Sequence, residues 1–412
     1  MRIAWLFLLL PLTTAQAQVT HYKTKLTPDL DHHLLIGDET IEFHHDAGAV
    51  EWQKQAGLQI SSISLADGET ALKDEAVGVR LRTGGEHMLH VKYTAAPAPG
   101  ISWFAGQDGF NTEFYCEAWM VCDNAPAERA TLTLEIVIPR ASDLTAVGPG
   151  RPKNPWRDKM GEHFVFEQGE PVQTYLFSFG VAKLNRSVDG RFVVYAPEGG
   201  PHSVALAKTA DAYAFLRDKA GVDFANRQYA QAFLPALVEQ EAGGLALMPS
   251  RYLAKLERED QVMDMAHELA HQWWGVLVGI RSWSDFWLNE GMATFMADAY
   301  LEHHNGRAAY DQEISSTKGR MGELRAQGKD RPLHWEAWKD AHDALGRLPY
   351  VKGALFLDRL RTELGEEKFW GGIAFYTSRN AQRLVDSQDF ERAMEDASGR
   401  DLKPLFDEAV FH

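Results

Sequence analysis

Two imidazoles and two carboxylates fall at spacings suited to metal-assisted hydrolysis. His267-Glu268-Leu269-Ala270-His271 sets His267 and His271 four residues apart, on one face of any helix that contains them. After 18 intervening residues comes Glu290, within Leu288-Asn289-Glu290-Gly291. Two histidines and a glutamate are one of the standard ligand sets of a catalytic zinc, which keeps its fourth position for water. Glu268 follows the first histidine directly, where a carboxylate stands beside the metal without binding it and can act as general base. The pattern predicts one zinc ion per chain on His267, His271 and Glu290, with Glu268 as the base of a hydrolase.

The flanking residues supply the elements that would hold these groups in place. Val262, Met265, Leu269, Trp273 and Val276 recur at three- and four-residue intervals, as on the buried face of a helix. Ser282-Trp283-Ser284-Asp285 offers N-cap oxygens for a second helix, on which Phe286, Trp287, Met292, Phe295 and Tyr300 are the apolar positions. The connecting loop lets that helix run back and present Glu290. The competing reading is a surface helix that carries two histidines by chance. It does not account for Glu290 at a ligand spacing within a second amphipathic helix.

The segments HELAHQWWG and DFWLNEGMATF resemble the zinc aminopeptidase family of the gluzincin type, which includes membrane alanyl aminopeptidase and the leukotriene hydrolase. The resemblance implies an N-terminal antiparallel β domain followed by an α+β thermolysin-like catalytic domain, acting on peptides. CDNAPAERATLTLEIVIP and FEQGEPVQTYLFSFGVAKL are similar to segments of the family's β domain. A Glu or Gln of that domain helps hold the substrate's α-ammonium, and Glu117 is the nearest match, on a loop shorter than the family's. Gln240-Glu241-Ala242-Gly243-Gly244-Leu245 stands where the family has G-A-M-E-N-x-G-L. The resemblance therefore implies that Glu241 binds the free amino group, and that the backbone at Gly243 and Gly244 pairs with the peptide as an added strand. Pro349-Tyr350-Val351-Lys352-Gly353 matches the family's Y-x-K-G, which makes Tyr350 the oxyanion donor. Most family members continue into a helical domain that roofs the cleft, and the resemblance here is to a short form without it. Three readings stay open: an aminopeptidase, a zinc endopeptidase with an open cleft, and a peptide-binding module without turnover.

The rest of the chain bounds these readings. Its 412 residues, 45% hydrophobic, suffice for more than one domain with a sizeable core. A net charge of −16 argues against nucleic acid as a partner. Residues 1–17 read as a secretory signal: Arg2, an apolar run from Ile3 to Leu12, then Ala15-Gln16-Ala17 as cleavage site. No later run is long and apolar enough to span a membrane, so the expectation is an exported protein, periplasmic or secreted. Cys116 and Cys122 could pair in an oxidising compartment or pack as small hydrophobes.

Residues 18–188 alternate as strands at Ile41 and Phe43, at Leu89, Val91 and Tyr93, at Leu132 to Ile138, and at Tyr175, Phe177 and Phe179. The adjacent pairs His32-His33 and His44-His45 would point to opposite faces of a strand, and are expected to be exposed rather than metal-bound. In 189–412 a strand at Arg191–Tyr195, a helix from Val204 to Ala220 and two further strands are expected to precede a mainly helical region from Glu257.

Overall fold

The computed structural model describes residues 17–412 apart from 140–141, 198, 339–340 and 345, so residues 1–16 of the expected signal lie outside the described residues. Alternating apolar residues build the first half. In Gly85–Ala95 the side chains of Leu89, Val91, Tyr93 and Ala95 are buried, while His90 and Lys92 face solvent. Fully burying a side chain of the Val, Leu or Phe class contributes about 1.5–3 kcal/mol, so each such strand is held by its inward face. The long strands Gln18–Asp29, Leu34–His45, Leu58–Leu65, Gly85–Ala95, Arg129–Ile138 and Glu162–Gln173 form one large sheet. Its pairings are antiparallel except one: Gln18–Asp29 runs parallel to Arg129–Ile138. Smaller antiparallel sheets pack beside it, among them Ile101–Trp103 with Phe110–Thr112. His32, His33 and His44 are exposed as expected, but His45 is buried.

The expected strand through Tyr175 to Phe179 is instead a short 3-10 turn, Thr174–Leu176, followed by irregular chain. Every residue from 174 to 179 is buried, so this segment has no solvent face for the alternation to mark.

Cys116 and Cys122 form a disulfide, with Cα atoms 6.2 Å apart. Two side chains of the large sheet pin the loop they close: Tyr93 donates its hydroxyl to Trp119 O at 2.7 Å, and Val121 N donates to Glu39 Oε2 at 2.9 Å.

The second sheet begins with the hairpin Asn185–Asp189 and Phe192–Ala196, and continues through Tyr229–Leu234 and Leu245–Pro249 to the edge strand Gln240–Ala242. The helix Ser203–Ala220 packs on it, and helices dominate from Arg251 onward. Three helices matter for the site: Met263–Ala270, Trp287–Asn305 and Arg347–Leu364. The expected side-chain cap at Ser282–Asp285 does not form. That stretch makes its own 3-10 turn, Trp283–Asp285, and the helix starts at Trp287 with Phe286 as N-cap.

Candidate metal centre and cleft

The helix Met263–Ala270 carries His267 and Glu268, and His271 follows as its C-cap. Gly275, at φ 138°, then turns the chain, and Asn289 lies so close that a β-carbon at Gly275 would come within 2.7 Å of its Oδ1. Glu290 sits in the first turn of Trp287–Asn305. That helix meets Arg347–Leu364 at a glycine crossing, where a methyl at Gly291 would lie 2.8 Å from Gly353 Cα. The close approach brings Tyr350 over the histidines, its ring stacked on His267 with centroids 6.0 Å apart.

The three ligand candidates converge. His267 Nε2 and His271 Nε2 are 3.0 Å apart, and Glu290 Oε2 lies 3.2 and 3.5 Å from them. A tetrahedral zinc with ligands at about 2.0–2.1 Å spaces its donors by roughly 3.3 Å, so this triangle has the size of one ion. At His271 the second ring nitrogen is engaged: Trp274 O can only accept, so Nδ1 donates to it at 3.1 Å and Nε2 is the nitrogen turned to the triangle. At His267 the corresponding contact, Thr294 Oγ1 at 3.5 Å, is longer.

The acids and imidazoles of this cluster are strongly coupled. Glu241, Glu268 and Glu290 are each 2–3% exposed around the same two imidazoles. Burial raises Glu241 and Glu268 above the usual carboxylate range. Burial acts in the same sense on Glu290, but the His271 and His267 imidazoles outweigh it and hold that carboxylate low. His271 is pushed up to about 10, because Glu241 and Glu290 outweigh its own burial. Without a metal, the ionised Glu290 is thus matched by a protonated His271, and a divalent ion bound by the same donors would take the place of that proton. The donor set and the geometry fit zinc.

The cleft beside this triangle has a volume of about 410 Å³ and is bounded by Glu113, Phe114 and Tyr115 on one side, Leu237 to Glu239 and Glu241 on another, and Glu268 and Tyr350 at the metal end. Glu241 is fixed by Asn289 Nδ2 on Oε1 and Gln240 Nε2 on Oε2, both at 3.1 Å. Asn289 Nδ2 also donates to Tyr175 OH, tying the metal helix to the β domain.

Not every expected binding residue reaches this cleft. Glu117 lines a separate cavity with Gln53, Lys54 and Pro99, on the short loop that the disulfide closes. The carboxylate that the β domain brings to the cleft is Glu113, four residues earlier. It follows the strand Phe110–Thr112, and Phe114 N beside it donates to Gln240 Oε1 at 2.7 Å. Gly243 and Gly244 do not border the cleft either. They form the turn after the edge strand, where Gly243 O accepts from Gly150 N and Gly244 N donates to Gln272 Oε1. A β-carbon on Gly243 would strike Gln168, so that glycine serves close packing.

Residues 208–408 match the peptidase family M1 domain. Over 311 residues the chain is 25% identical to the tricorn protease-interacting factor F2 of Thermoplasma acidophilum, covering 69% of this chain and 38% of that protein. It is 27% identical over 298 residues to leucine aminopeptidase 2 of Aspergillus niger, covering 68% and 47%. The chain thus spans less than half the length of these curated relatives. Its fold matches the M1 zinc metallopeptidase from Deinococcus radiodurans with a TM-score of 0.81 at 21% identity, covering 95% of this chain and 93% of that one. Yeast LTA4 hydrolase matches with a TM-score of 0.81 at 18% identity, covering 94% and 67%. Residues 208–408, just under half of the chain, thus match peptidase family M1, and the chain resembles the gluzincin aminopeptidases of that family.

Proposed function

We propose that the protein is a zinc metallopeptidase that removes N-terminal residues from peptides. The observation that carries this reading is the position of Glu241. Its carboxyl is buried, with both oxygens oriented by amide donors, and its oxygen lies within 4.8 Å of donor atoms of His271 and Glu290. A free α-ammonium held there, with Glu113 on the facing wall, sets the first peptide bond at the metal. Relatives named as aminopeptidases support the same activity class.

His267, His271 and Glu290 would hold the ion. Zinc, when bound, polarises the substrate carbonyl and lowers the pKa of water to about 7. Glu268 has an Oε2 with no hydrogen-bond partner among the described residues, buried at the cleft, and takes the proton of the attacking water. The same carboxyl then delivers that proton to the departing amine. Tyr350 donates its phenolic hydrogen to the oxygen on which negative charge develops. Burial holds that phenol well above its ordinary pKa, so it stays protonated.

We place the protein in an exported compartment, a reading supported by the sequence of residues 1–17 and by the Cys116–Cys122 disulfide. Among the described residues no helix is long and apolar enough to cross a membrane.

The test is cleavage of matched peptide libraries with free and acetylated N-termini, by wild type and Glu241→Gln. Wild type should release residues one at a time from free amines only. The substitution should slow free-amine peptides by about 10-fold or more, the loss of a charge-assisted bond worth roughly 1.5–3 kcal/mol. Internal cleavage of acetylated peptides at rates equal to free ones would replace this reading with an endopeptidase.

A further inference from the structure

A second cavity, of about 470 Å³, adjoins the cleft and shares with it Glu239, His267, Glu268 and Tyr350. It does not include the amine-side residues Glu113 and Glu241. If the amine is held as proposed above, only one residue precedes the scissile bond in the first cleft. The chain beyond that bond, past Glu268 and Tyr350, enters the second cavity.

The walls of this second cavity are acidic. Glu239, Asp264, Glu268 and Asp298 contribute carboxyl groups. Of its two arginines, Arg320 is held by Glu313 at 2.7 Å and attracts Asp298 without a hydrogen bond to it, and Arg347 is exposed. Asp298 is 1% exposed, and neither of its oxygens has a hydrogen-bond partner among the described residues. Glu239 Oε1 is likewise buried without one. A buried carboxyl without a partner costs stability, and such a cost persists where a ligand supplies the missing group.

Position defines that ligand. Glu290, Thr294 and Asp298 are spaced by four on one helix and so share a face, with Thr294 and Asp298 lining the cavity. Eight residues of helix rise about 12 Å, so Asp298 lies that far along the helix from the metal ligand. One residue of extended peptide advances about 3.5 Å, and the remaining gap is that of a long side chain.

Resting on the aminopeptidase reading, we propose that this cavity is a specificity pocket for a long cationic side chain, lysine or arginine, on the residue that follows the scissile bond. Asp298 lies at its far end and Glu239 and Asp264 flank the route to it. Burial, with Glu313 adding to it, holds the Asp298 carboxyl well above its ordinary range in the free protein. Arg320 offsets this only in part, and an incoming ammonium or guanidinium would supply the hydrogen-bonded charge partner that Asp298 lacks among the described residues.

The test uses tripeptides Ala-X-Ala with X as Lys, Arg, Met or Glu, each with a free and an acetylated amine. We expect kcat/KM for Lys and Arg to exceed that for Met, an uncharged side chain of similar length, by about 10-fold or more, with Glu the poorest. In Asp298→Asn the Lys:Met ratio should fall towards 1. Glu239→Gln should lower the same ratio if Asp298→Asn does not fold. Equal kcat/KM across X in free-amine peptides would overturn the pocket and leave the aminopeptidase reading standing. Equal cleavage of free and acetylated forms would overturn both.

Discussion

Two groups of buried acids show how differently one side chain can be used in this molecule. In the β domain Glu39 is fully buried and solitary. One oxygen accepts from Val121 N, the other has no hydrogen-bond partner among the described residues, and burial lifts the group to about 8. It acts as a neutral clamp on the disulfide loop. In the catalytic domain Glu241, Glu268 and Glu290 are equally buried, but they surround two imidazoles and open onto a cleft. There the donor atoms of Glu290, His267 and His271 lie at separations that suit one metal ion. Burial alone does not mark a functional carboxyl; convergence with other donor atoms at an open cleft does.

The first way to break this comparison is to dismantle the triangle. His271→Ala removes one of three donors whose mutual separations are 3.0–3.5 Å. Zinc content by metal analysis should fall from one per chain to near zero, and peptidase activity should vanish with it. The β domain, whose sheets do not include the ligand helices, should keep its far-ultraviolet dichroism. Full zinc occupancy in this variant would remove His271 from the ligand set.

The next two substitutions separate proton transfer from metal binding. Glu268→Gln keeps the shape of the wall but cannot take a proton, so kcat should drop by about 10²–10⁴ with zinc retained. Tyr350→Phe leaves the ring stacked on His267 and removes only the hydroxyl, and should lower kcat by about 10²–10³. A Tyr350→Phe enzyme that changes in KM alone would make Tyr350 a packing or binding residue.

The legible part of the site was local. His267, Glu268 and His271 lie within one helical turn and its cap, where spacing dictates geometry, and Glu290 and Tyr350 each sit in a short recognisable segment. What the sequence concealed depends on distant pairings. Glu113 reaches the cleft because Phe114 N binds Gln240, 126 positions away. The resemblance pointed to Glu117, which lines a different cavity. Gly243 and Gly244 look the same in sequence whether they meet a peptide or, as here, fill a turn against Gln168 and Gln272. The strand expected at Tyr175–Phe179 failed for a similar reason: a segment buried on every side carries no periodic signal. Pairing of the cysteines required their Cα separation, which only the fold supplies.

The smallest effect on turnover, and the sharpest check on the comparison, is expected at Glu39. Below about pH 4.5 its carboxyl is protonated in both folded and unfolded chains, and the group contributes no pH dependence. Between about 4.5 and 8 the folded chain keeps the proton while the unfolded chain releases it, so stability falls as pH rises. With each pKa unit worth about 1.4 kcal/mol, the loss between pH 5 and 8 is on the order of 3 kcal/mol. Glu39→Gln removes the titration and keeps a carbonyl that can accept from Val121 N. Wild type and variant should therefore unfold at similar denaturant concentrations near pH 5, and the variant should be the more stable at pH 8, with peptidase activity unchanged at either. Comparing the two proteins isolates this group from the other acids that titrate over the same range. Parallel stability curves from pH 5 to 8 would show that Glu39 is ionised in the fold, and the contrast between a neutral clamp and a charged centre would be lost.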